Sequence, residues 1–181
     1  MIDSIINQTY KNWEFIICND GSTNNTLEML NEIAQKDSRI KIISYSTNKG
    51  LNYALNTCLK EAKGIYIARQ DDDDISKCER LEKEVEFLDN NLEYAIVGTL
   101  ADVYDDGGIW GEYKVEERPN KKSFYWNSPF MHPNIMMRKE ALDKCHGYRI
   151  AKETRRCEDL DLFMRMYALG YKGYNIQEKF V

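Results

Sequence analysis

The chain has 181 residues, 43% of them apolar and 30% charged, with a formal net charge of −5. That length suffices for one globular domain with a sizeable core, and the composition is that of an ordinary soluble protein. The negative balance excludes recognition of nucleic acid or an anionic membrane through the surface at large, so an anionic ligand needs a metal or a few local cations.

The five cysteines, Cys18, Cys58, Cys78, Cys145 and Cys157, are odd in number and lack zinc-knuckle spacing. Reduced thiols in a cytoplasmic protein are expected. Met1 to Ile6 has neither the basic flank nor the long apolar stretch of a signal peptide. No apolar run approaches the roughly 20 residues that span a bilayer, so membrane contact is expected to be peripheral or through a further segment.

Strand and helix periods alternate through the first half of the chain. Phe15 to Cys18 reads as a short buried strand, and Asn19-Asp20-Gly21-Ser22-Thr23 as the turn opening a helix from about Thr26, with Leu27, Leu30, Ile33 and Ala34 on one face. Ile40 to Tyr45 is the next strand, followed by Asn48-Lys49-Gly50 and a helix carrying Leu51, Ala54, Leu55 and Cys58. The third strand, Ile65 to Ala68, runs into Arg69-Gln70-Asp71-Asp72-Asp73-Asp74, and a helix from about Lys77 shows Leu81, Val85 and Leu88. Such alternation predicts βαβ units and a mainly parallel sheet whose strand exits share one edge. Asp20, Asn48 and Asp71 to Asp74 should therefore meet in one crevice.

The second half is less regular. Tyr94 to Thr99 reads as a strand, Asp105-Asp106-Gly107-Gly108 as a tight turn, and residues 114 to 130 as a mobile loop or lid. A short strand over Asn134 to Met137 follows His132-Pro133, then a short helix over Arg138 to Cys145. The last helix, Asp159 to Leu169, should turn Leu160, Phe163, Met164 and Tyr167 inward.

The acidic run is the strongest chemical signal. Four adjacent like charges repel, so they need a divalent cation, a basic partner or full solvation. Hard oxygen ligands suit Mg²⁺ or Mn²⁺, whereas the structural alternative is a solvated acidic turn. Asp20 is either an Asx-turn residue or an acceptor for a nucleobase or ribose. Glu158-Asp159 at a helix start stabilise it by about 0.3–1 kcal/mol each, or supply a general base beside the cations Arg155 and Arg156. His132 and His146 read as structural. Neither G-x-G-x-x-G nor G-x-x-x-x-G-K-[ST] occurs, which disfavours a dinucleotide dehydrogenase or a P-loop enzyme.

Gln8-Thr9-Tyr10, Trp13-Glu14, Asn19-Asp20-Gly21-Ser22-Thr23, Asn48-x-Gly50, Ala68-Arg69-x-Asp71-x-Asp73-Asp74-Ile75-Ser76, His132-Pro133 and Glu158-Asp159 stand in the order found in family 2 glycosyltransferases. From about Ile5 to Phe180 the chain resembles that family. The resemblance implies a GT-A fold, a Rossmann-type three-layer α/β/α sandwich with a mainly parallel central sheet. It also implies transfer of a sugar from a nucleotide-diphosphate donor, usually with inversion. One domain over 1–181 is expected, with a nucleotide-binding half at 1–100 and an acceptor-side half at 101–181.

By the same resemblance, Asp20 holds the nucleobase and Asn48 lies near the nucleotide. Asp71 and Asp73 match the D-x-D acids, the first toward the ribose or the metal shell and the second ligating Mn²⁺ or Mg²⁺. Asp72 fills the variable middle position, where its extra charge is a departure. Asp159 resembles the catalytic base, with Glu158 its neighbour and fallback. Family members also begin with a central strand before the helix that leads into Gln8, and they continue past the segment near Gln177. Without that strand, its neighbours should expose unpaired edges and apolar faces.

The sequence thus points to an inverting transferase using a nucleotide sugar, a UDP-sugar foremost, and a glycan or lipid-linked acceptor. The alternatives are an inactive nucleotide-binding remnant of such a domain and a metal-dependent nucleotidyltransferase. The sugar, the acceptor and the oligomeric state are not encoded in any motif.

Overall fold

The computed structural model describes all of residues 1–181. A short helix α1 (Ile2–Ile6) precedes strand β1 (Phe15–Asp20), helix α2 (Thr26–Lys36), strand β2 (Ile40–Tyr45), helix α3 (Leu51–Glu61), strand β3 (Tyr66–Ala68) and helix α4 (Arg80–Asn90). The long strand β4 (Tyr94–Asp105) turns tightly into β5 (Gly108–Tyr113), and β6 (Met136–Arg138), α5 (Lys139–Lys144), α6 (Glu158–Ala168) and β7 (Lys172–Lys179) complete the chain. The alternation expected for the first half is present.

β1 and β2 pair in parallel, from Phe15 opposite Ile40 to Asp20 opposite Tyr45, so their carboxyl ends finish level. The other strands form a separate sheet, in which β7 runs parallel to β4 while β6 runs antiparallel to both β3 and β4. The α/β class holds, but the expected mainly parallel sheet is in fact mixed and divided in two. β6 is reached by the long excursion after β5 rather than by a helical crossover, and only a crossover of that kind enforces parallel pairing.

Side chains alternate across the second sheet. Ile96 and Met137 enter one cluster with Phe130, Leu142, Phe163 and Met166, whereas their neighbours Val97 and Met136 enter another with Leu81 and Leu88. The period-two pleat therefore buries α5 and α6 on one face and α4 on the other. Each fully buried side chain of this size contributes about 1.5–3 kcal/mol. On α6 the buried set is Leu162, Phe163, Met166 and Tyr167, while Met164 is exposed. The inward face expected from the sequence is thus rotated, because Asp161 and Arg165 are drawn onto the turn after α5. β7 carries no apolar alternation; its buried positions are Gly173 and Asn175. A Cβ at Gly173 would stand 2.2 Å from the Phe130 ring, so only glycine lets that ring close the core there.

Residues 114–130, expected as a mobile loop or lid, are bonded to the body of the protein at several points. Asn175 donates to the Glu116 and Pro129 carbonyls at 2.7 and 3.0 Å, Tyr167 donates to the Pro119 carbonyl, and Phe124 packs edge-on to Tyr167. Tyr125 and Trp126 project from this segment, 78% and 89% exposed.

α4 begins at Arg80, later than its periodicity suggests, because the preceding residues serve as anchors. Gln8, fully buried, donates to the Lys77 carbonyl and accepts from the Leu81 amide. Arg80 and Glu84, one turn apart and both without exposed surface, form an ion pair at 3.2 Å. Burial pushes the Glu84 carboxyl upward against the pull of Arg80, and its second oxygen has no partner. Removing one member of such a pair strands the other charge.

Between β1 and β3 lies a cleft of about 640 Å³ walled by Trp13, Phe15, Ile16, Leu59, Ile67 and Met136. β1 pairs only with β2, and β3 only with β6, so both present an open edge, as the sequence leads one to expect. Glu14 closes the lower end by accepting from the Lys63 and Gly64 amides at 2.6 and 3.0 Å. The starts of β1 and β3 are thereby held together.

Arg80→Met alone should lower the unfolding free energy by about 3–5 kcal/mol, and Arg80→Met/Glu84→Leu should recover most of that loss, as read by urea denaturation. A second expectation concerns His132, which is buried edge-on to Tyr148 and Phe163. Burial, helped by Arg69, lowers its pKa to about 3. The folded state therefore binds this proton less well than the unfolded chain, so the stabilisation is complete above about pH 6.5 and is lost as pH falls toward the folded value. His132→Gln should remove a slope approaching about 1.4 kcal/mol per pH unit between pH 6 and 4.

Candidate functional site

Asp20 ends β1, and its two carboxylate oxygens accept the Lys49 and Gly50 amides, each at 2.8 Å. Gly21 follows with φ of +79°, and a Cβ there would lie 2.6 Å from the Asn48 amide nitrogen. The Asp20 turn and the Asn48 loop are consequently in contact, as expected for two strand exits sharing an edge. Asn48 itself is exposed. The Lys49 ammonium lies 4.0 Å from the Tyr45 ring centre and 4.7 Å from that of Tyr53, an aromatic and cationic cluster at the mouth of the loop.

The acidic run leaves β3 as a curved loop. Asp71 pairs with the guanidinium of Arg69, a side chain only 11% exposed. Asp72 and Asp73 face solvent, and the Asp73 carbonyl accepts the Tyr104 hydroxyl at 3.0 Å. The half-buried Asp74 carboxyl is raised above the usual carboxylate range, first by burial and then by the charges of Asp73 and Asp71. Three crowded carboxylates of this kind are hard oxygen donors that a divalent cation would relieve. No three side chains stand close enough to cage a metal by themselves. Mg²⁺ and Mn²⁺ sites often take one or two carboxylates and fill the remaining positions with substrate phosphates and water, so Asp71 and Asp73 fit such an ion.

Glu158 and Asp159 occupy the first turn of α6, half-buried. Neither carboxylate joins an ion pair, and the helix start favours their negative charge. Their position is set through a chain of bonds from the other loop. Asn52 and Asn56 on α3 hold the Arg149 and Tyr148 carbonyls at 2.8 and 2.7 Å. Arg149 then pairs with Asp161 at 3.1 Å, and Arg165 spans Asp161 and the Gly147 carbonyl. The loop that cradles Asp20 and the helix that carries Asp159 are thus two ends of one bracket built on α3.

Tyr148 sits where these parts meet. Its hydroxyl bonds His132 Nε2 at 2.8 Å. Burial raises its pKa, Arg69 opposes that rise, and Asp159, Glu158 and Asp71 add to it. The cleft between β1 and β3 adjoins this region: Arg69, Gln70, Arg80 and Tyr148 line it, whereas Asp20, Asp71, Asp73, Glu158 and Asp159 do not. Tyr148, Gln70, Arg80 and the α3 asparagines were not legible as site residues. Only Arg69 was visible, through its fixed place ahead of the acids. Arg155 and Arg156 are exposed, the latter with φ of +66°.

The family model for glycosyl transferase family 2 matches residues 1–147. Among curated proteins, the chain is 46% identical over 178 residues to the inferred glycosyltransferase EpsE of Bacillus subtilis, covering 98% of this chain and 64% of that protein. It is 34% identical over 169 residues to the O-antigen biosynthesis glycosyltransferase WbnJ of Escherichia coli, covering 91% of this chain and 64% of that one. The chain therefore spans less than two thirds of the length of these curated relatives. Among solved structures, residues 1–349 of S. aureus TarS with UDP superpose with a TM-score of 0.78 at 20% identity, over 99% of this chain and 53% of that one. Mannosyltransferase PcManGT from Pyrobaculum calidifontis, with GDP-Man and Mn²⁺, gives 0.73 at 18% identity, over 97% of this chain and 49% of its own. No helix is long and apolar enough to cross a membrane. The family match over most of the chain, the relatives above 30% identity and the shared GT-A-type α/β fold together show that this chain belongs to glycosyl transferase family 2.

Proposed function

We propose that this chain carries the catalytic site of an inverting glycosyltransferase that takes a nucleotide-diphosphate sugar, foremost a UDP-sugar, and a glycan or lipid-linked acceptor. The observation that carries this reading is the bracket on α3, whose amino end closes on Asp20 and whose Asn52 and Asn56 hold the turn that leads to Glu158 and Asp159. It gives a donor side and an acid side to one crevice. Solved relatives hold UDP in one case and GDP-Man with Mn²⁺ in another, which supports a nucleotide sugar and a divalent cation. WbnJ is named for O-antigen biosynthesis, which supports a polysaccharide or lipid-linked acceptor. The five free thiols fit a reducing compartment, and we place the protein in the cytoplasm, with peripheral contact at the inner face of the membrane. One domain divides at about residue 100 into a donor half and an acceptor half.

In this reading Asp20 and Asn48 border the nucleoside, Asp71 turns toward the ribose, Asp72 faces the solvent rim of the donor site, and Asp71 and Asp73 hold the cation. A cation held there would offset the charge growing on the departing diphosphate. Arg69 orients Asp71 and adds a positive charge to the same wall. Asp159 accepts the acceptor hydroxyl proton as that oxygen bonds to the anomeric carbon and the bond to the diphosphate breaks. A single displacement of this kind inverts the carbon. Glu158 stands beside Asp159 as the fallback base.

Calorimetric titration with UDP, GDP and dTDP, in Mn²⁺ and then in EDTA, checks the donor site. UDP should bind in Mn²⁺, and Asp73→Ala should weaken that binding by more than about tenfold. A folded sample that binds none of the three overturns the reading. For turnover with a UDP-sugar panel, Asp159→Asn should slow transfer by about 10²–10⁴-fold with UDP affinity near that of the unaltered protein. If Glu158→Gln shows that loss instead, the two acids exchange roles.

A further inference from the structure

The acidic loop is shaped from beneath by a buried polar relay that no motif names. Gln70 donates its amide nitrogen to two backbone carbonyls, Asp71 at 3.1 Å and Asp74 at 3.2 Å, closing the segment between them into a ring. Its amide oxygen accepts from Ser76 Oγ at 2.6 Å and from Arg80 Nη1 at 3.0 Å. Arg80 in turn donates Nη2 to the Arg69 carbonyl at 2.8 Å and Nε to Glu84 at 3.2 Å. An amide can face either way, and here two donors on one side decide the matter. With Ser76 and Arg80 both needing an acceptor, the nitrogen must face the loop.

We propose that Gln70 is a positioning residue that sets the separation of the Asp71 and Asp73 carboxylates for a divalent cation, and that Arg80 fixes which way its amide points. The inference rests on the donor-site reading above. Its physical basis is that carboxylates on a short loop inherit their spacing from the backbone. Asp72 and Asp73 have no side-chain anchor of their own, so the carbonyl clamp on either side of them defines the curve. Ligand-supporting contacts of this kind change metal affinity by about 10–100-fold when removed.

Gln70→Glu tests this nearly isosterically. The new carboxylate still accepts from Ser76 and Arg80 but cannot donate to the Asp71 and Asp74 carbonyls. Added negative charge near the loop would by itself strengthen cation binding, so a loss is diagnostic of geometry. We expect unfolding free energy close to that of the unaltered protein and UDP affinity in EDTA unchanged. The Mn²⁺-dependent gain in UDP affinity should fall about tenfold, with faster amide hydrogen exchange across residues 71–76. Arg80→Met/Glu84→Leu, which removes the buried pair without orphaning a charge, should lose the same increment if it folds with a single cooperative transition. An unchanged or larger Mn²⁺-dependent gain in Gln70→Glu overturns the proposal, as does an equal loss in EDTA. If the unaltered protein binds no nucleotide, the donor-site reading fails instead. Amide exchange then still reports whether Gln70 holds the loop, and unchanged exchange sinks the clamp on its own.

Discussion

A guanidinium with no surface exposed to water must find acceptors inside the protein, and the rest of this site depends on how Arg80 finds them. Besides the Ile135 carbonyl at 3.4 Å, its partners are the Glu84 carboxylate, the Gln70 amide, the Ser76 hydroxyl and the Arg69 carbonyl. Three of those four belong to the stretch from the end of β3 to the approach to α4. Burying an ion pair costs several kcal/mol per charge before the attraction offsets it, so the arrangement is a weak source of stability. What it does supply is a defined shape for a loop whose four like charges would otherwise spread it into solvent. The half-buried Asp74 carboxyl is raised first by burial and then by the charges of Asp73 and Asp71.

The opposite wall follows a different logic. α3 contributes its amino end to the clasp on Asp20 and two asparagines to the turn that seats α6. Backbone amides and carbonyls are the partners of Asp20 and Asn56, while the Arg149–Asp161 and Arg165–Asp161 ion pairs complete the bracket at α6. Asp20 illustrates the overlap of roles. Its carboxylate is the acceptor that shapes the Lys49 loop, and the proposed role at a nucleoside would use its remaining lone pairs. Tyr148 and His132 then form a neutral, dry floor between the two walls. A protonated histidine there would add a cation beside Arg69, and burial keeps the imidazole uncharged.

Beside the acidic loop, the molecule carries an opening. Two strand edges and a set of apolar walls face one cleft between β1 and β3. The acids lie outside it, at the carboxyl ends of the strands, where ligands of open α/β sheets gather. The cleft thus adjoins the acidic loop without containing its carboxylates, with Arg69, Gln70 and Tyr148 in its lining.

The order of elements in the first half was legible because apolar periodicity and turn residues are local properties, and β2 lies where its pattern places it, over Ile40 to Tyr45. The acids at strand exits and at the start of α6 were legible for the same reason. β7 was not, since its inward positions are Gly173 and Asn175, which pack against Phe130 and hold the 116 to 129 segment rather than repeat an apolar pattern. Nor was the rotated face of α6, which is decided by what Asp161 and Arg165 meet on another element. The direction of β6 and the relay from Glu84 through Arg80 and Gln70 to the acidic loop likewise join residues through space, whereas the contact of the Asp20 and Asn48 loops was expected from their shared sheet edge. By itself the sequence determined which residue types stand at each strand exit, because that is written in short-range pattern. Only the tertiary structure decided which of them face one another, because hydrogen-bond partners and burial depend on contacts between segments distant along the chain.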